Sequence, residues 1–207
     1  FSIEEIRRLR SEGVDAQVAH MRAIGEGYRR QVEHLQKKLR AAQNALEILE
    51  QYQETGRILH DPVGRELWCF SVEEALRAHG LAAKEEIERC VNAFPFVHAA
   101  GEGALADFLA ERRLDFRFGY LFNPSAGLYE PAHSQVYRTL SAQPCCLVRI
   151  KTADPLSIPF DEVRLLASYC AAHGLTPCDG PYSCISGVER AGSELRYCVS
   201  VRILVSP

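Results

Sequence analysis

The chain has 207 residues and a mass of 23.2 kDa, enough for one sizeable domain or for a small domain with an extension. Hydrophobic residues make up 47% of it and charged residues 25%, proportions typical of a soluble globular protein. The net charge is -3, and no run of about 18 apolar residues occurs. These values argue against a membrane span and against a chain that grips nucleic acid by itself.

Eight cysteines are present, but no CxxC pair and no secretory leader accompany them. Cys145 and Cys146 are adjacent, so on a strand they would point to opposite faces. Zinc sites need closely spaced ligand pairs, and His98, His133 and His173 form neither an HxxxH nor an HxH pair. We therefore expect reduced thiols packed as small hydrophobic side chains in the cytoplasm, with no metal site and no cofactor.

The first segment, "FSIEEIRRLR", predicts a short helix over residues 2–10. Ser2 is a candidate N-cap and Glu5 stands three residues on, which is a capping-box pattern. Gly13 ends this helix, so residues 1–14 form a first unit of the chain.

A long helix follows, because no proline occurs from Asp15 to about Gly56 and apolar or small residues recur there at alternating spacings of three and four. The stripe is strict between Val32 and Leu49. An amphipathic helix packed on its own domain is the alternative, but roughly 60 Å of helix would overhang a domain of about 150 residues. We expect a dimerisation helix over 15–59, paired with another helix through Tyr28, Val32, Leu35, Leu39, Leu46 and Leu49.

The remaining residues, 60–207, alternate between strand and helix patterns. Strands are predicted over 65–70, 116–122, 144–152, 181–188 and 195–205, and helices over 72–92 with an interruption near Gly80, over 102–113 and over 159–175, while 135–140 is extended or briefly helical. Each half has the same order of one strand, one helix and two strands. This order predicts an α+β fold, an antiparallel sheet with helices packed on it, and a groove between the halves as a ligand site.

The opening "FSIEEIRRLR" with the long heptad helix resembles the junction between the DNA-binding domain and the dimerisation helix of MerR-type transcription regulators. The resemblance implies that residues 1–14 are the remnant of the last helix of that DNA-binding domain. Residues 63–207 resemble the GyrI-like effector-binding domain of the multidrug-sensing members, in "FGYLFNP", "PCCLVRI" and "GPYSCISG … RYCVSVRIL". The resemblance implies a homodimer with antiparallel long helices, a small-molecule effector, and a DNA-binding domain upstream of Phe1. The alternative is a free-standing GyrI-like binding protein or hydrolase.

The resemblance also implies where an effector would bind. Multidrug sensors of this group carry a glutamate at the position of Ser183, and some carry an acid at the position of Ser200, whereas Tyr197 matches a pocket tyrosine. Without the carboxylate, a lipophilic cation would lose its partner. We therefore expect a neutral or anionic aromatic effector.

In "DFRFGYLFNP", an aromatic residue stands at every second position from 116 to 122. This alternation is typical of the buried face of a strand, but it equally fits the wall of a slot for a planar ligand. We expect a mixture, with Phe118 and Tyr120 at the pocket. The candidate ligand-binding residues are Trp68, Phe70, Phe118, Tyr120, Phe122, Tyr137, Tyr182, Ser183 and Tyr197. No GxSxG, Walker or GxGxxG motif occurs, so no enzymatic activity is expected.

Overall fold

The computed structural model describes residues 13–51, 56–94, 96–127 and 129–206, without the side chains of 44, 45 and 47–51. Two compact units divide the chain, Phe1–Ala42 and Gln43–Pro207. The predicted helix over 2–10 lies outside the described residues. None of the helices that the structure describes is both long and apolar enough to cross a membrane.

The long helix α1 runs from Val14 to Gln51, 38 residues, and its length is about 57 Å. This confirms the prediction of one continuous helix. Strand β1 (Ile58–Asp61) includes the last two residues of the range 15–59, for which the sequence predicts helix. Leu49 belongs to α1, but its side chain is outside the described part of the chain.

The second unit contains ten strands and four helices among the described residues. The remaining strands are β2 (Leu67–Ser71), β3 (His98–Glu102), β4 (Leu114–Asp115), β5 (Arg117–Phe122), β6 (Arg138–Leu140), β7 (Cys145–Thr152), β8 (Ser157–Ile158), β9 (Thr176–Ala191) and β10 (Glu194–Ser206). The helices are α2 (Val72–His79), α3 (Leu81–Asn92), α4 (Leu105–Leu109) and α5 (Phe160–Ala172), with single 3-10 turns at Pro124–Ala126 and Ser134–Val136.

Eight strands form one antiparallel sheet in the order β1-β7-β10-β9-β3-β5-β2-β6. Two repeats of the same order build the sheet, β2-α2-α3-β3-β5 and β7-α5-β9-β10. In each repeat the strand that comes last in sequence lies between the other two. The strands that come second in sequence, β3 and β9, pair with each other at the centre of the sheet. The mixed α+β architecture with an antiparallel sheet is therefore confirmed.

Strand β3 and helix α4 differ from the prediction. Residues 102–113 are predicted to be helical, but only the five residues of α4 are helical there, and β3 ends at Glu102. The sequence of β3, "HAAGE", has no β-branched or aromatic residue, so only its two neighbours in the sheet make it a strand. The interruption at Gly80 is confirmed: this glycine has a φ of 52° and separates α2 from α3.

Both groups of helices cover the same face of the sheet. Gly101 pairs with Ser183 on β9 and with Phe118 on β5, and residues directly opposite in antiparallel strands share a face. One buried cluster lies under α5, and its largest members are Phe108, Phe116, Phe160, Leu166 and Ile203. A second cluster lies under α2 and α3 and consists of Phe70, Ala75, Ala83, Cys90, Val97, Tyr120, Phe122 and Val136. A third, on the opposite face, contains Leu67, Cys69, Ala100, Leu121, Leu140, Cys145, Tyr182 and Leu204.

Candidate functional site

The aromatic residues at 116, 118, 120 and 122, which we call the aromatic stripe, are divided between two buried clusters and the solvent-exposed surface. Phe116 precedes β5 and packs in the cluster under α5. Tyr120 and Phe122 are buried under α2 and α3, with the Tyr120 ring 5.6 Å from that of Phe70. Phe118 is 38% exposed and contacts Tyr120 edge-to-face at 5.5 Å. Most of the alternation therefore reflects a buried strand face.

The other predicted aromatic residues do not form one slot with the stripe. Trp68 contacts Phe122 at 5.9 Å, whereas Tyr197 packs against the separate cluster under α5. Tyr182 belongs to the cluster on the opposite face of the sheet. The structure therefore brings Trp68, Phe118 and Tyr120 together in one half of the sheet and places Tyr197 in the other half.

Ser183 and Ser200 do not share a site either. Ser200 pairs with Cys184, the residue after Ser183, so the two serines point to opposite faces. Ser183 is fully buried, and a Cβ on the facing Gly101 would lie 2.8 Å from the Ser183 hydroxyl oxygen. Ser183 and Gly101 therefore pack directly against each other, and Ser183 is enclosed by the protein.

A cleft of about 450 Å³ opens beside the short edge strand β6, and we call it the edge cleft. It lies where β6 stops pairing with β2, since the pairing ends at Cys69 opposite Arg138. The edge cleft is lined by Cys69, Phe70, Ser71, Glu74, Ala75, Ala78, His79, Glu102, Arg117, Gln135, Val136, Tyr137 and Arg138. Two of the predicted ligand-binding residues, Phe70 and Tyr137, are therefore in its wall.

Two arginines and two glutamates form a charged network in the edge cleft. Arg138 donates from Nη2 to Glu102 Oε1 at 2.6 Å and to the Tyr182 hydroxyl at 2.8 Å. Arg117 pairs with Glu74 on α2 and lies 3.6 Å from Glu102. Burial opposes the charge of Arg138, but Tyr182 and Glu102 outweigh it and raise the pKa of the guanidinium. Arg138 therefore stays charged.

Ser71 lies at the junction of β2 and α2 and is 6% exposed. Its hydroxyl is buried without a hydrogen-bond partner, and the side chain does not cap α2 although Ser71 is the N-cap residue. The sequence Ser71-Val-Glu-Glu74 is a capping-box pattern, but the carboxylate of Glu74 binds Arg117 instead. A buried hydroxyl without a partner costs free energy, so an acceptor in the edge cleft would be stabilised there.

A smaller cavity of about 10 Å³ adjoins the edge cleft, with Tyr120 and Tyr182 among its lining residues. Gly119 also lines it, and a Cβ added there would overlap the Phe70 carbonyl oxygen at 1.9 Å. This volume suits about one water molecule. Trp68, Phe118, Phe122, Ser183 and Tyr197 line neither space.

A second polar cluster surrounds Glu86 of α3, which is 0% exposed. One carboxylate oxygen accepts from the Tyr129 hydroxyl and, at 2.8 Å, from Tyr137; the other accepts from the amides of Ala132 and His133, each at 3.1 Å. Burial raises the pKa of Tyr129 and of Tyr137, so both hydroxyls stay protonated donors. Glu86 therefore anchors the segment 129–137, and Tyr137 is both part of this anchor and a wall of the edge cleft.

The sequence did not identify the charged residues of the edge cleft. Arg117 and Arg138 stand in strands whose patterns mark only the apolar positions, and Glu102 stood at the start of a predicted helix. The capping-box pattern at Ser71 was the one local signal, and it indicates a helix start rather than a binding site.

The eight cysteines are all free. Burial raises the pKa of Cys146 to about 12 and that of Cys184 to about 11, which makes both thiols poor nucleophiles. Within the ranges that the structure describes, no group of three His, Cys, Asp or Glu side chains is arranged to hold a metal ion.

Comparison with known proteins identifies no family, since no family model and no curated protein matches the chain. Among solved structures, a hydrolase from Listeria innocua is similar at a TM-score of 0.40 and 8% identity, over 73% of this chain and 93% of that chain. An uncharacterised conserved protein from the same organism has a TM-score of 0.42 at 8% identity, over 75% and 98%. A further hydrolase from that organism has a TM-score of 0.41 at 9% identity, over 75% and 98%. Scores this low support no argument about fold or activity.

Proposed function

We propose that the chain is the dimerisation and ligand-sensing part of a MerR-type transcription regulator, with residues 60–207 as a GyrI-like effector-binding domain. In this proposal α1 pairs with α1 of a second copy, a small molecule binds the sensing domain, and DNA is contacted only through a domain upstream of residue 1. The protein is not an enzyme and acts in the cytoplasm.

The observation that carries the proposal is the exposed apolar stripe of α1. Leu35 is 62% exposed, Leu39 60% and Leu46 56%, and they follow one another at spacings of four and seven. The other large exposed members of the same stripe are Val14, Val18, Met21, Tyr28 and Val32. All keep the a and d positions of one heptad repeat, which is the pattern of a helix that buries this face against another helix.

The second unit supports a sensing role. It contains two repeats, each with the order strand, helix, strand, strand, and the resemblance implies this two-fold order for a GyrI-like domain. The edge cleft, at about 450 Å³, falls in the range of small-molecule sites. A cleft with paired charges and a partnerless hydroxyl is a natural place for a ligand to bind.

The alternative, a free-standing GyrI-like binding protein or hydrolase, does not explain why α1 exposes a regular row of large apolar residues. A GyrI-like hydrolase would use a pocket glutamate and tyrosine, but Glu74 and Glu102 of the edge cleft are already paired with Arg117 and Arg138. Glu86 meets Tyr129 and Tyr137, but it is fully buried and already accepts four hydrogen bonds. An anchor of this kind has no lone pair to offer a substrate.

The test is the oligomeric state of two matched variants in sedimentation velocity. Leu39→Glu places a charge in the stripe, whereas His34→Glu adds the same charge at an exposed position outside it. We expect the parent chain and His34→Glu to sediment as dimers and Leu39→Glu as a monomer, because a buried unpaired carboxylate at a heptad a position opposes pairing. A dimer that Leu39→Glu leaves intact would refute the proposal.

A further inference from the structure

We propose that the edge cleft binds a small planar carboxylic acid, with its carboxylate at Ser71 and Arg117 and its ring between α2 and the segment 135–138. The proposal rests on the ligand-sensing role above and names the chemical class of the ligand. Three features of the edge cleft carry it: an unpartnered donor, guanidinium groups with donors to spare, and an aromatic wall.

The unpartnered donor is the hydroxyl of Ser71. It is buried, lines the edge cleft and has no acceptor among the described residues. Ser71 also precedes the first turn of α2, whose amides receive no side-chain cap from it. A carboxylate oxygen at this point would accept from the hydroxyl and would lie at the positive end of the helix dipole.

The guanidinium groups of Arg117 and Arg138 supply the counter-charge. Each has five N–H donors in a fixed fork. Arg138 donates from Nη2 to Glu102 and to Tyr182 and also bonds Cys69, whereas Arg117 binds Glu74 from Nη1. Each arginine can therefore keep these bonds and still donate to an incoming anion.

The acidic side chains of the edge cleft do not favour a cation. Glu74 already accepts from Arg117, and Glu102 accepts from Arg138 and faces Arg117 at 3.6 Å. A cationic ligand would have to displace a guanidinium from one of these carboxylates. An anion needs only to add to donors that are in place, so its binding leaves the network intact.

The aromatic wall consists of Phe70 and Tyr137, whose rings are perpendicular at a centroid distance of 4.9 Å. Tyr137 is held by its bond to Glu86, which keeps this ring in place before a ligand arrives. A cleft of about 450 Å³ has room for a two-ring compound with a short acidic arm. Phe70 is 7% exposed and Tyr137 is half-buried, so a planar ligand would stack on Tyr137, with Phe70 behind that ring.

The experiment is isothermal titration of the full chain with three probes that share one ring system: indole-3-acetate, indole-3-acetamide and tryptamine. They present an anion, a neutral amide and a cation to the same cleft. We expect indole-3-acetate to bind about tenfold or more tightly than either of the others, since a charge-assisted hydrogen bond is stronger than a neutral one. Equal or tighter binding of the amide or of tryptamine, or no binding of indole-3-acetate at millimolar concentration, overturns the proposal.

Two variants and one control locate the site. Ser71→Ala and Arg117→Gln should each weaken indole-3-acetate binding by about tenfold. Arg77→Gln is the control, because Arg77 is also an exposed arginine paired with a glutamate of α2 but does not line the edge cleft. Ser71→Ala removes a hydroxyl that makes no bond, so its melting temperature should not fall and lost binding is not lost folding. Unchanged affinity in both cleft variants overturns the proposal. A monomer in sedimentation would overturn the regulator role alone, since these titrations do not depend on α1.

Discussion

Replacement of Glu86 by leucine should loosen the segment 129–137 and destabilise the second unit. Leucine has a similar volume, so the change leaves little cavity and chiefly removes an acceptor of four hydrogen bonds. The two tyrosine hydroxyls have other partners, because Tyr129 and Tyr137 lie 3.3 Å apart and both approach Cys90. The amides of Ala132 and His133 lose the acceptor that holds them to α3.

The size of the effect follows from those two amides. A hydrogen bond to a charged group contributes about 1.5 kcal/mol at the low end, which suits partly exposed amides, so Glu86→Leu should lower the free energy of unfolding by about 3 kcal/mol. Glu86→Gln is the matched control, because its amide oxygen can accept from both backbone groups while its NH₂ faces the tyrosine hydroxyls. We expect a loss of about 1 kcal/mol for glutamine.

Urea unfolding measures both losses, and hydrogen exchange reports the amides directly. Exchange at Ala132 and His133 should accelerate in Glu86→Leu and much less in Glu86→Gln. If the leucine variant lies within about 1 kcal/mol of the parent chain and exchange is unchanged, Glu86 does not anchor the segment and the reasoning is wrong. Equal losses in both variants would show instead that the charge, rather than the acceptor, matters.

Two further outcomes follow from buried groups, and a third follows from an exposed thiol. Burial lowers the pKa of His98 below its ordinary value of 6.5, so the unfolded chain binds more protons and the free energy of unfolding should fall as pH drops through about 6.5. His98→Gln should reduce this fall when urea unfolding is measured at several pH values. If the free energies of unfolding of the variant and the parent chain change in parallel with pH, the prediction is contradicted. Ser183→Glu should lower the free energy of unfolding by about 3 kcal/mol or more, because Gly101 leaves it no room, whereas Ser125→Glu at an exposed turn should have little effect in the same thermal melts. Of the eight cysteines Cys178 alone is exposed, so limited maleimide treatment of the folded chain should modify it first, and Cys178→Ser should abolish the fast phase seen by mass spectrometry.

The sequence alone determined the elements whose signals are local. The heptad pattern without proline predicted α1, Gly80 placed the break between α2 and α3, and alternating residues predicted β5 and β7. In each of these the hydrophobic period and the breaking residues lie within the segment itself, so no distant contact is needed to recognise them.

Tertiary structure decided which faces are covered and which charges meet. Alternation shows that Phe118, Tyr120 and Phe122 share a face, but whether that face is core or pocket depends on α2 and α3 folding over it. Strand β3 exists only through its neighbours, and Glu102 reaches Arg138 although three steps of the sheet order separate β3 from β6. A one-dimensional pattern records the period of a segment; the partner across a sheet is set by packing between segments far apart in the chain.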